Sequence, residues 1–393
     1  MERLKIINGK IITPDRVIEN GTLLIEDDRI MGIESGDISY RNARILDANG
    51  MYISPGFIDI HTHGAGGHDF MDGTVDAFLG AAETHARFGT TSLVPTTCAG
   101  KMDELKHTLS IFREASKKNS NGSHMLGMHL EGPYLSLKQS GAQDPRFIHD
   151  PDPLEYEPIV RGSKDIIRWS AAPELNGAME FGRFMTRHGI LPSIAHSDAI
   201  YEEVVQAFEN GFTHITHLYS CMTGVTRRNA FRYAGVIESA WLIDGMSVEI
   251  IADGVHLPAS LLQLVYKIKG AGRIALVTDS MRAAGMPEGP SILGSLKEGQ
   301  PVIVEDGVAK LPDRTAFAGS VATADRLVRN MVNLAGVNLL EAVQMMTSTP
   351  AKICKIVNEK GSISVGKQAD IVLFDENINV NTTIVKGKIV YSK

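Results

Sequence analysis

The feature that most constrains this chain is a repeated alternation of strand-like and helix-like stretches between about residues 55 and 360. Short apolar runs predict eight strands: Gly56–Ile60, Thr91–Pro95, Met125–Leu130, Ile166–Ala171, Ile190–Ala195, His214–Leu218, Val248–Ala252 and Ile274–Thr278. Helices are predicted between several of them, for instance over Val75–Phe88, Asp103–Lys117, Tyr201–Asn210 and Ala259–Lys269. This pattern predicts an α/β fold, a (β/α)₈ barrel, whose active site lies at the C-terminal ends of the strands. A doubly wound open sheet is the alternative, but no Gly-x-Gly-x-x-Gly turn follows a predicted strand.

The two ends of the chain have a different pattern, with short strands separated by turns. The pair Asn8-Gly9, flanked by alternating apolar residues, predicts a hairpin turn. Neither end is long enough to bury a core alone. We therefore expect residues 1–54 and 361–393 to form one small β-sandwich domain beside a catalytic barrel of residues 55–360.

Composition excludes several classes of protein. The 393 residues are 43% hydrophobic and carry a formal net charge of -7, which argues against a general nucleic-acid binder. The three cysteines are too few and too scattered for a disulfide framework. The sequence shows neither a signal-peptide pattern nor an apolar run long enough to span a membrane, so we expect a cytoplasmic protein.

The end of the first predicted barrel strand carries two histidines, His61 and His63. Because side chains alternate along a strand, residues two apart point to the same side. Two neutral imidazoles that converge on one point are good ligands for a divalent metal. The first strand therefore predicts part of a metal site.

The later strand ends add further donors: Glu131, His196, His217, Asp253, His256 and Asp279. Taken singly, each is most simply a surface or hydrogen-bonded core residue, but their coincidence at strand ends predicts a metal centre. Since the set exceeds what one tetrahedral zinc requires, two metals bridged by Glu131 are plausible. We then expect His61 and His63 to bind one metal and His196 and His217 to bind the other.

Asp279, at the end of the last strand, is the predicted proton carrier. A metal lowers the pKa of a bound water towards ~7, and Asp279 would take the proton from this water and deliver it to the leaving group. The alternative is that Asp279 is the N-cap of a following helix.

The remaining histidines are predicted to have structural roles. His129 is expected to pack beneath the site or to support its ligands, and His68 to shape the loop after the first strand. The other structural positions, in helices or loops or facing away from the site, are His85, His107, His124, His149, His188 and His214.

A resemblance to a known family adds to these inferences. Its motifs are Pro55-Gly-Phe-Ile-Asp-Ile-His-Thr-His-Gly64, His129-Leu-Glu-Gly-Pro133, Ala195-His-Ser-Asp198, Thr216-His-Leu-Tyr219, Ile251-Ala-Asp-Gly-Val-His256 and Val277-Thr-Asp279. In combination they resemble the metal-dependent amidohydrolase superfamily and, within it, the deacetylases of N-acetylglucosamine-6-phosphate. The resemblance implies hydrolysis of the acetamide to glucosamine-6-phosphate and acetate, in amino-sugar catabolism. It also implies Asp279 as the acid/base. We expect one or two divalent ions per subunit, and His and carboxylate ligands accept zinc, iron or manganese.

The resemblance further implies contacts with the substrate. Ala142 and Gln143 match a loop at the acetamide, where Gln143 could donate to the oxyanion. His256 matches a contact with a sugar hydroxyl. The stretch Phe317-Ala318-Gly319 matches the acetyl side of the site.

One departure from the family pattern concerns the phosphate. Where the family usually has Asn-Ala, this chain has Ser220-Cys221, and a serine offers one donor instead of two. Arg228, near Arg227 and Arg232, matches the arginine that binds phosphate, and arginine suits that anion. In relatives this arginine can come from a neighbouring subunit, which implies a homodimer.

The alternatives differ in substrate or in class. The altered Ser220-Cys221 pair is compatible with N-acetylgalactosamine-6-phosphate or an unphosphorylated N-acetyl sugar. A cyclic amidase or nucleobase deaminase is a further possibility within the superfamily. An inert scaffold is the alternative from another class.

Overall fold

The computed structural model describes residues 2–393, and its centre is a parallel barrel. The barrel strands are Phe57–Thr62, Thr90–Thr97, Met128–Glu131, Ile166–Ala171, Leu191–Ile194, His214–Ile215, Ser247–Ile250 and Ile274–Leu276. Each strand pairs in parallel with the next along the chain, from the first to the eighth. The predicted fold class is confirmed.

A buried carboxylate joins the first strand to the eighth. Asp59 Oδ1 accepts hydrogen bonds from the backbone N–H groups of Thr278 (3.2 Å) and His61 (3.3 Å), and its Oδ2 accepts from the Thr278 hydroxyl (2.6 Å). One residue further on, the N–H of Asp279 donates to the carbonyl of His61 (2.9 Å). These bonds hold the two strand ends that carry His61 and Asp279 at a fixed separation.

Helices cover the outside of the barrel. Their bounds are Val75–Arg87, Met102–Lys118, Pro153–Gly162, Ala178–Arg187, Tyr201–Glu209, Val236–Leu242, Ala259–Lys269, Ala324–Asn333, Leu339–Met346 and Ser348–Ile353. Short 3₁₀ turns occupy Phe70–Asp72, Leu137–Gln139, Pro145–Phe147 and Ala271–Arg273. Within residues 2–393, no helix is both long and apolar enough to cross a bilayer.

The first helix illustrates how the sequence produces these elements. Its N-cap, Thr74, accepts a hydrogen bond from the N–H of Ala77 (3.2 Å), which satisfies one of the free donors of the first turn. Phe78, Ala82 and His85 are buried and recur at spacings of four and three residues, so one face of the helix packs on the barrel.

Strands from both ends of the chain form one sheet. In spatial order its strands are Lys388–Ser392, Val380–Val385, Ile371–Phe374, Tyr52–Pro55, Arg3–Ile12, Val17–Glu26 and Arg29–Ser35. A further strand, Arg44–Asp47, pairs with the first half of Arg3–Ile12, whereas Tyr52–Pro55 pairs with its second half. The exact domain boundaries, after residue 54 and before residue 361, stay a prediction.

The hairpin predicted at Asn8-Gly9 is wrong. Both residues lie inside the continuous strand Arg3–Ile12, where the pairing register shifts between Ile6 and Gly9. Asn8 has a φ of 57°, so it supplies the left-handed residue of a β-bulge instead of a turn. A Cβ on Gly9 would lie 2.3 Å from Ile53 Cδ1, which explains the glycine there.

The remaining short strands lie in the connections. They are Gly64–Ala65, His68–Asp69, His124–Met125, Thr226–Arg228, Phe231–Tyr233, Gly289–Leu293, Gln300–Glu305 and Val308–Lys310. Gly289–Leu293, Gln300–Glu305 and Val308–Lys310 form a small antiparallel sheet after the eighth barrel strand.

Candidate active site

The predicted metal ligands and the predicted proton carrier lie together at the C-terminal end of the barrel, and all are buried. Their donor atoms fall into two groups, and within each group all the donor atoms lie within 4.8 Å of one another. The first group is His61, His63 and Asp279, and the second is Glu131, His196 and His217.

Glu131 lies between the two groups. Its Oε1 is 2.9 Å from His217 Nε2, 3.4 Å from His196 Nε2 and 3.7 Å from His61 Nε2. Its Oε2 is 3.4 Å from His63 Nε2. One carboxylate therefore contacts the imidazoles of both groups, as a bridging ligand would.

Asp279 lies opposite Glu131, beside the first pair of histidines. Its Oδ1 is 3.4 Å from His61 Nε2 and 3.2 Å from His63 Nε2. No helix begins in the residues that follow Asp279, and Ser280 instead forms an isolated bridge with Ser320. The role of N-cap therefore does not apply to Asp279.

Three of these residues have a left-handed backbone. The φ angles are 45° at His196, 30° at His217 and 45° at Asp279. Non-glycine residues rarely adopt this conformation, and such strain concentrates at functional sites. Each of the three comes two or three residues after the end of a barrel strand, so the chain turns away there while the side chain stays over the barrel.

The carboxylates and imidazoles of the cluster shift one another's pKa values. Burial alone would raise the pKa of Glu131, but His61, His196 and His217 outweigh it and hold the pKa well below its usual range. Burial would likewise lower the pKa of His61, but Asp279 and Glu131 raise it to about 9. The carboxylates thus attract positive charge into a buried space.

This donor set fits divalent metal ions. Imidazole nitrogens and carboxylate oxygens are the ligands that zinc, iron and manganese accept. The opposite ring nitrogens of three histidines are already occupied: His196 Nδ1 lies 2.8 Å from the Gln139 carbonyl, His63 Nδ1 lies 3.5 Å from Cys98 Sγ, and His61 Nδ1 lies 3.1 Å from Glu249 Oε2. Such contacts orient the Nε2 atoms towards the cluster. His217 Nδ1 has no hydrogen-bond partner in the described part of the chain.

A cavity of about 260 Å³ opens above the cluster. Of the predicted substrate contacts, seven line it: Ala142, Gln143, Ser220, Cys221, His256, Phe317 and Gly319. His63, Glu131, His196, His217 and Asp279 form its floor, and His61 lies beneath them.

Gln143 is held in a defined orientation. Its Nε2 donates to Glu131 Oε2 (2.7 Å), and its Oε1 accepts from the N–H of Ala99 (2.8 Å). The amide has two N–H groups, so one is left to donate into the cavity. His256 is similarly fixed, because its Nδ1 lies 2.8 Å from Asp253 Oδ2 and its ring packs on Phe317 at 4.7 Å.

Two predicted contacts do not line the cavity. Ala318 is fully buried between its neighbours Phe317 and Gly319. Arg228 is exposed on the hairpin formed by Thr226–Arg228 and Phe231–Tyr233, where its guanidinium lies over the Tyr233 ring at 5.6 Å. Within one chain, the arginine is therefore not part of the cavity.

Four lining residues were not predicted from the sequence: Cys98, Tyr219, Leu293 and Ala316. Cys98 directly follows the second barrel strand, so the rule that located the histidines could have identified it. Leu293 ends a strand of the small antiparallel sheet, and no sequence signal pointed to that position.

Comparison with known proteins identifies the family. The amidohydrolase family profile matches residues 52–390. The chain is 32% identical over 391 residues to the N-acetylglucosamine-6-phosphate deacetylase of Vibrio furnissii, covering 98% of this chain and 94% of the relative. It is 30% identical over 383 residues to the N-acetylgalactosamine-6-phosphate deacetylase of Escherichia coli O157:H7, covering 97% of each.

A solved structure gives the same result. A mutant of the N-acetyl-D-glucosamine-6-phosphate deacetylase of Mycobacterium smegmatis, in complex with N-acetyl-D-glucosamine-6-phosphate, superposes with a TM-score of 0.91. The two chains are 27% identical, and the match covers 100% of each. The chain therefore belongs to the amidohydrolase family and, within it, to the deacetylases of N-acetylated sugar 6-phosphates.

Proposed function

We propose that this protein hydrolyses the acetamide of N-acetylglucosamine-6-phosphate to glucosamine-6-phosphate and acetate, in amino-sugar catabolism. The observation that carries the proposal is the buried cluster of four imidazoles and two carboxylates at and beneath the floor of a cavity lined by Gln143 and His256. The relatives named for this reaction support the choice of substrate. As an amidohydrolase, the protein is a hydrolase of carbon–nitrogen bonds.

One or two divalent ions, zinc, iron or manganese, would be held by His61, His63, Glu131, His196 and His217. When bound, the ions would make hydroxide available at neutral pH and polarise the carbonyl of the amide.

Asp279 is the proposed general base and acid. It takes a proton from the attacking water and delivers it to the nitrogen of the departing amino sugar. Its position on the cavity floor and the short, fixed link of its backbone to His61 support this role. The free N–H of Gln143 would donate to the oxygen of the amide as negative charge develops there.

The proposed phosphate site uses two parts of the surface. Ser220 and Cys221 line the cavity and are the nearest match to the family's phosphate-binding positions. Arg228 lies outside that cavity, so we propose that it reaches the cavity of a second subunit in a homodimer. Because a sugar phosphate is charged and does not cross a bilayer unaided, we place the reaction in the cytoplasm.

A second candidate substrate is N-acetylgalactosamine-6-phosphate. The relative from Escherichia coli O157:H7 that is named for this sugar supports it. The two sugars differ in the configuration of one hydroxyl, and a single hydrogen bond to that hydroxyl would decide between them. An unphosphorylated N-acetyl sugar and a cyclic amide are weaker alternatives.

The test is acetate release by the purified, metal-loaded protein from both sugar 6-phosphates and from free N-acetylglucosamine. We expect the highest kcat/KM on N-acetylglucosamine-6-phosphate. Asp279→Asn should lower kcat by at least about 10²-fold, because it removes the proton carrier but keeps the size of the side chain. Absence of acetate release from every N-acetyl sugar would contradict the proposal, and near-normal turnover by Asp279→Asn would remove Asp279 from its role.

A further inference from the structure

A further buried carboxylate, Glu249, lies beneath the cluster of predicted metal ligands and has no part in the mechanism above. It sits in the seventh barrel strand, Ser247–Ile250, and is fully buried. Its Oε2 lies 3.1 Å from His61 Nδ1 and accepts a hydrogen bond from the N–H of His217 (3.2 Å). Glu249 therefore contacts one residue from each of the two donor groups.

Glu249 is held in place as an ion pair. Arg168 Nη1 donates to Glu249 Oε1, and the other nitrogens of the guanidinium donate to Ser193 Oγ (2.9 Å) and Thr216 Oγ1 (2.6 Å). Arg168 Nη1 also donates to the carbonyl of Ile60 (3.2 Å). A charged group this deeply buried needs such partners, and here they keep the carboxylate oriented towards His61.

The contact with Glu249 determines which ring nitrogen of His61 lacks a proton and can bind a cation. An imidazole binds a cation through the nitrogen that lacks a proton, and a carboxylate at Nδ1 keeps the proton on that atom. The opposite atom, His61 Nε2, faces Asp279 Oδ1 at 3.4 Å and His63 Nε2 at 3.3 Å. Glu249 thus presents the lone pair of Nε2 to the first donor group.

In the described part of the chain, His61 is the one imidazole of the cluster whose Nδ1 contacts a carboxylate. At Nδ1, His63 meets the weakly polar thiol of Cys98, and His196 meets the backbone carbonyl of Gln139. His217 Nδ1 has no partner there. An ionised carboxylate makes an imidazole a more basic ligand than a thiol or a carbonyl does.

We propose that Glu249 is a positioning residue that selectively strengthens metal binding at the first donor group, His61, His63 and Asp279. The inference rests on the proposed metal-dependent function. It predicts that a change at Glu249 alters the affinity for one ion but not for the other. Glu249 would act through His61, because its carboxylate contacts no histidine Nε2 atom of either donor group.

The test is Glu249→Gln, which removes the charge and keeps the size of the side chain. The probe is Mn²⁺ added to chelator-treated protein, with free and bound ion measured by electron paramagnetic resonance. We expect the affinity for one of two ions to fall about 10- to 100-fold, while the affinity for the other is unchanged. At one equivalent of Mn²⁺, the variant should show the spectrum of an isolated ion.

The matched control is Asp253→Asn. Asp253 is also a buried carboxylate paired with an imidazole Nδ1, that of His256, but His256 belongs to neither donor group. This control should bind both ions as the wild type does. Unchanged affinities in Glu249→Gln, or an equal fall for both ions, would overturn the inference.

A second variant addresses folding, because Glu249→Gln leaves the buried charge of Arg168 unpaired. Arg168→Met combined with Glu249→Gln removes both charges, and it should show the same selective loss. If this variant folds and binds both ions normally, the inference is overturned. If the metal-loaded wild type releases no acetate but Glu249→Gln still shows the selective loss of affinity, the role of Glu249 is supported and the proposed function is contradicted. If the wild type releases acetate and Glu249→Gln binds both ions normally, only the inference about Glu249 fails.

Discussion

The position of Arg228 prevents it from binding phosphate in the cavity of its own chain. It is exposed on a hairpin outside the cavity, whereas the other predicted phosphate contacts, Ser220 and Cys221, line it. The serine offers one hydroxyl, which is a weak replacement for several charge-assisted hydrogen bonds. In the proposed homodimer, where Arg228 reaches the cavity of the second subunit, most of the affinity for phosphate should therefore come from this arginine.

We expect Arg228→Ala to raise KM for N-acetylglucosamine-6-phosphate about 10- to 100-fold, because hydrogen bonds to charged groups contribute ~1.5–3 kcal/mol. KM for free N-acetylglucosamine should not change. Steady-state kinetics on both sugars measure the effect. Arg161→Ala is the control, since Arg161 is also exposed but pairs with Glu157 on a helix surface. An equal change on both sugars would place the phosphate elsewhere.

The sequence was enough to predict those candidate site residues that lie at the C-terminal ends of barrel strands. His61, His63, Glu131, His196, His217 and Asp279 all lie at or just after strand ends, so the alternation of strands and helices was enough to group them. Glu249 was overlooked because a lone charge inside an apolar strand carries no sign of its partner. Glu249 is held towards His61 by its ion pair with Arg168, which is 81 residues away in the sequence, and that pair exists only in the folded barrel.

At the scale of the element, the helix Val75–Arg87 carries a buried histidine that affects stability. His85 Nε2 lies 2.9 Å from Thr62 Oγ1, on the strand that leads to the first predicted metal ligands. Burial lowers the pKa of His85 from its ordinary 6.5 to about 4. Below pH 6.5, His85 therefore binds a proton in the unfolded chain, whereas in the folded state it stays neutral until about pH 4.

The free energy of unfolding should fall as the pH drops through this window. Between pH 7 and pH 5, His85 should account for a loss of about 2 kcal/mol. His85→Gln lacks this titration, so its unfolding free energy should decline less over the same range. Urea unfolding at both pH values measures the difference. His107→Gln, at an exposed position on the next helix, should behave as the wild type. Parallel declines in all three proteins would contradict the prediction.

Whole elements were predictable where periodicity and length agreed. The helix Ala259–Lys269 has the predicted bounds, because its apolar spacing and the glycine after it both mark its extent. The Asn8-Gly9 bulge was mistaken for a turn, since a bulge and a turn both use a left-handed residue. Only the pairing with Tyr52–Pro55 and Arg44–Asp47 distinguishes them.

At the scale of the whole molecule, metal bound by the donor cluster should contribute to stability as well as to chemistry. Four imidazoles and two carboxylates from five barrel strands meet in a buried space. A ligand that binds the folded state alone stabilises it by about 2.7 kcal/mol at 100 times its Kd. Ions held by this cluster would therefore tie most of the barrel together.

Removal of metal with EDTA should lower the melting temperature by several degrees, and added Zn²⁺ or Mn²⁺ should restore it. Differential scanning calorimetry measures the shift. A protein in which His61 and His217 are both replaced by Ala should melt at the same temperature with and without EDTA. The same EDTA shift in that variant would show that the chelator acts elsewhere.

The sheet shared by the two chain ends has a consequence for biosynthesis. Tyr52–Pro55 leads directly into the first barrel strand, and its neighbour in the sheet is Ile371–Phe374. The ribosome produces the first of these segments more than 300 residues before the second. One edge of the nascent sheet thus stays open to other chains until residues 371–374 have been made, a period in which a chaperone would protect it.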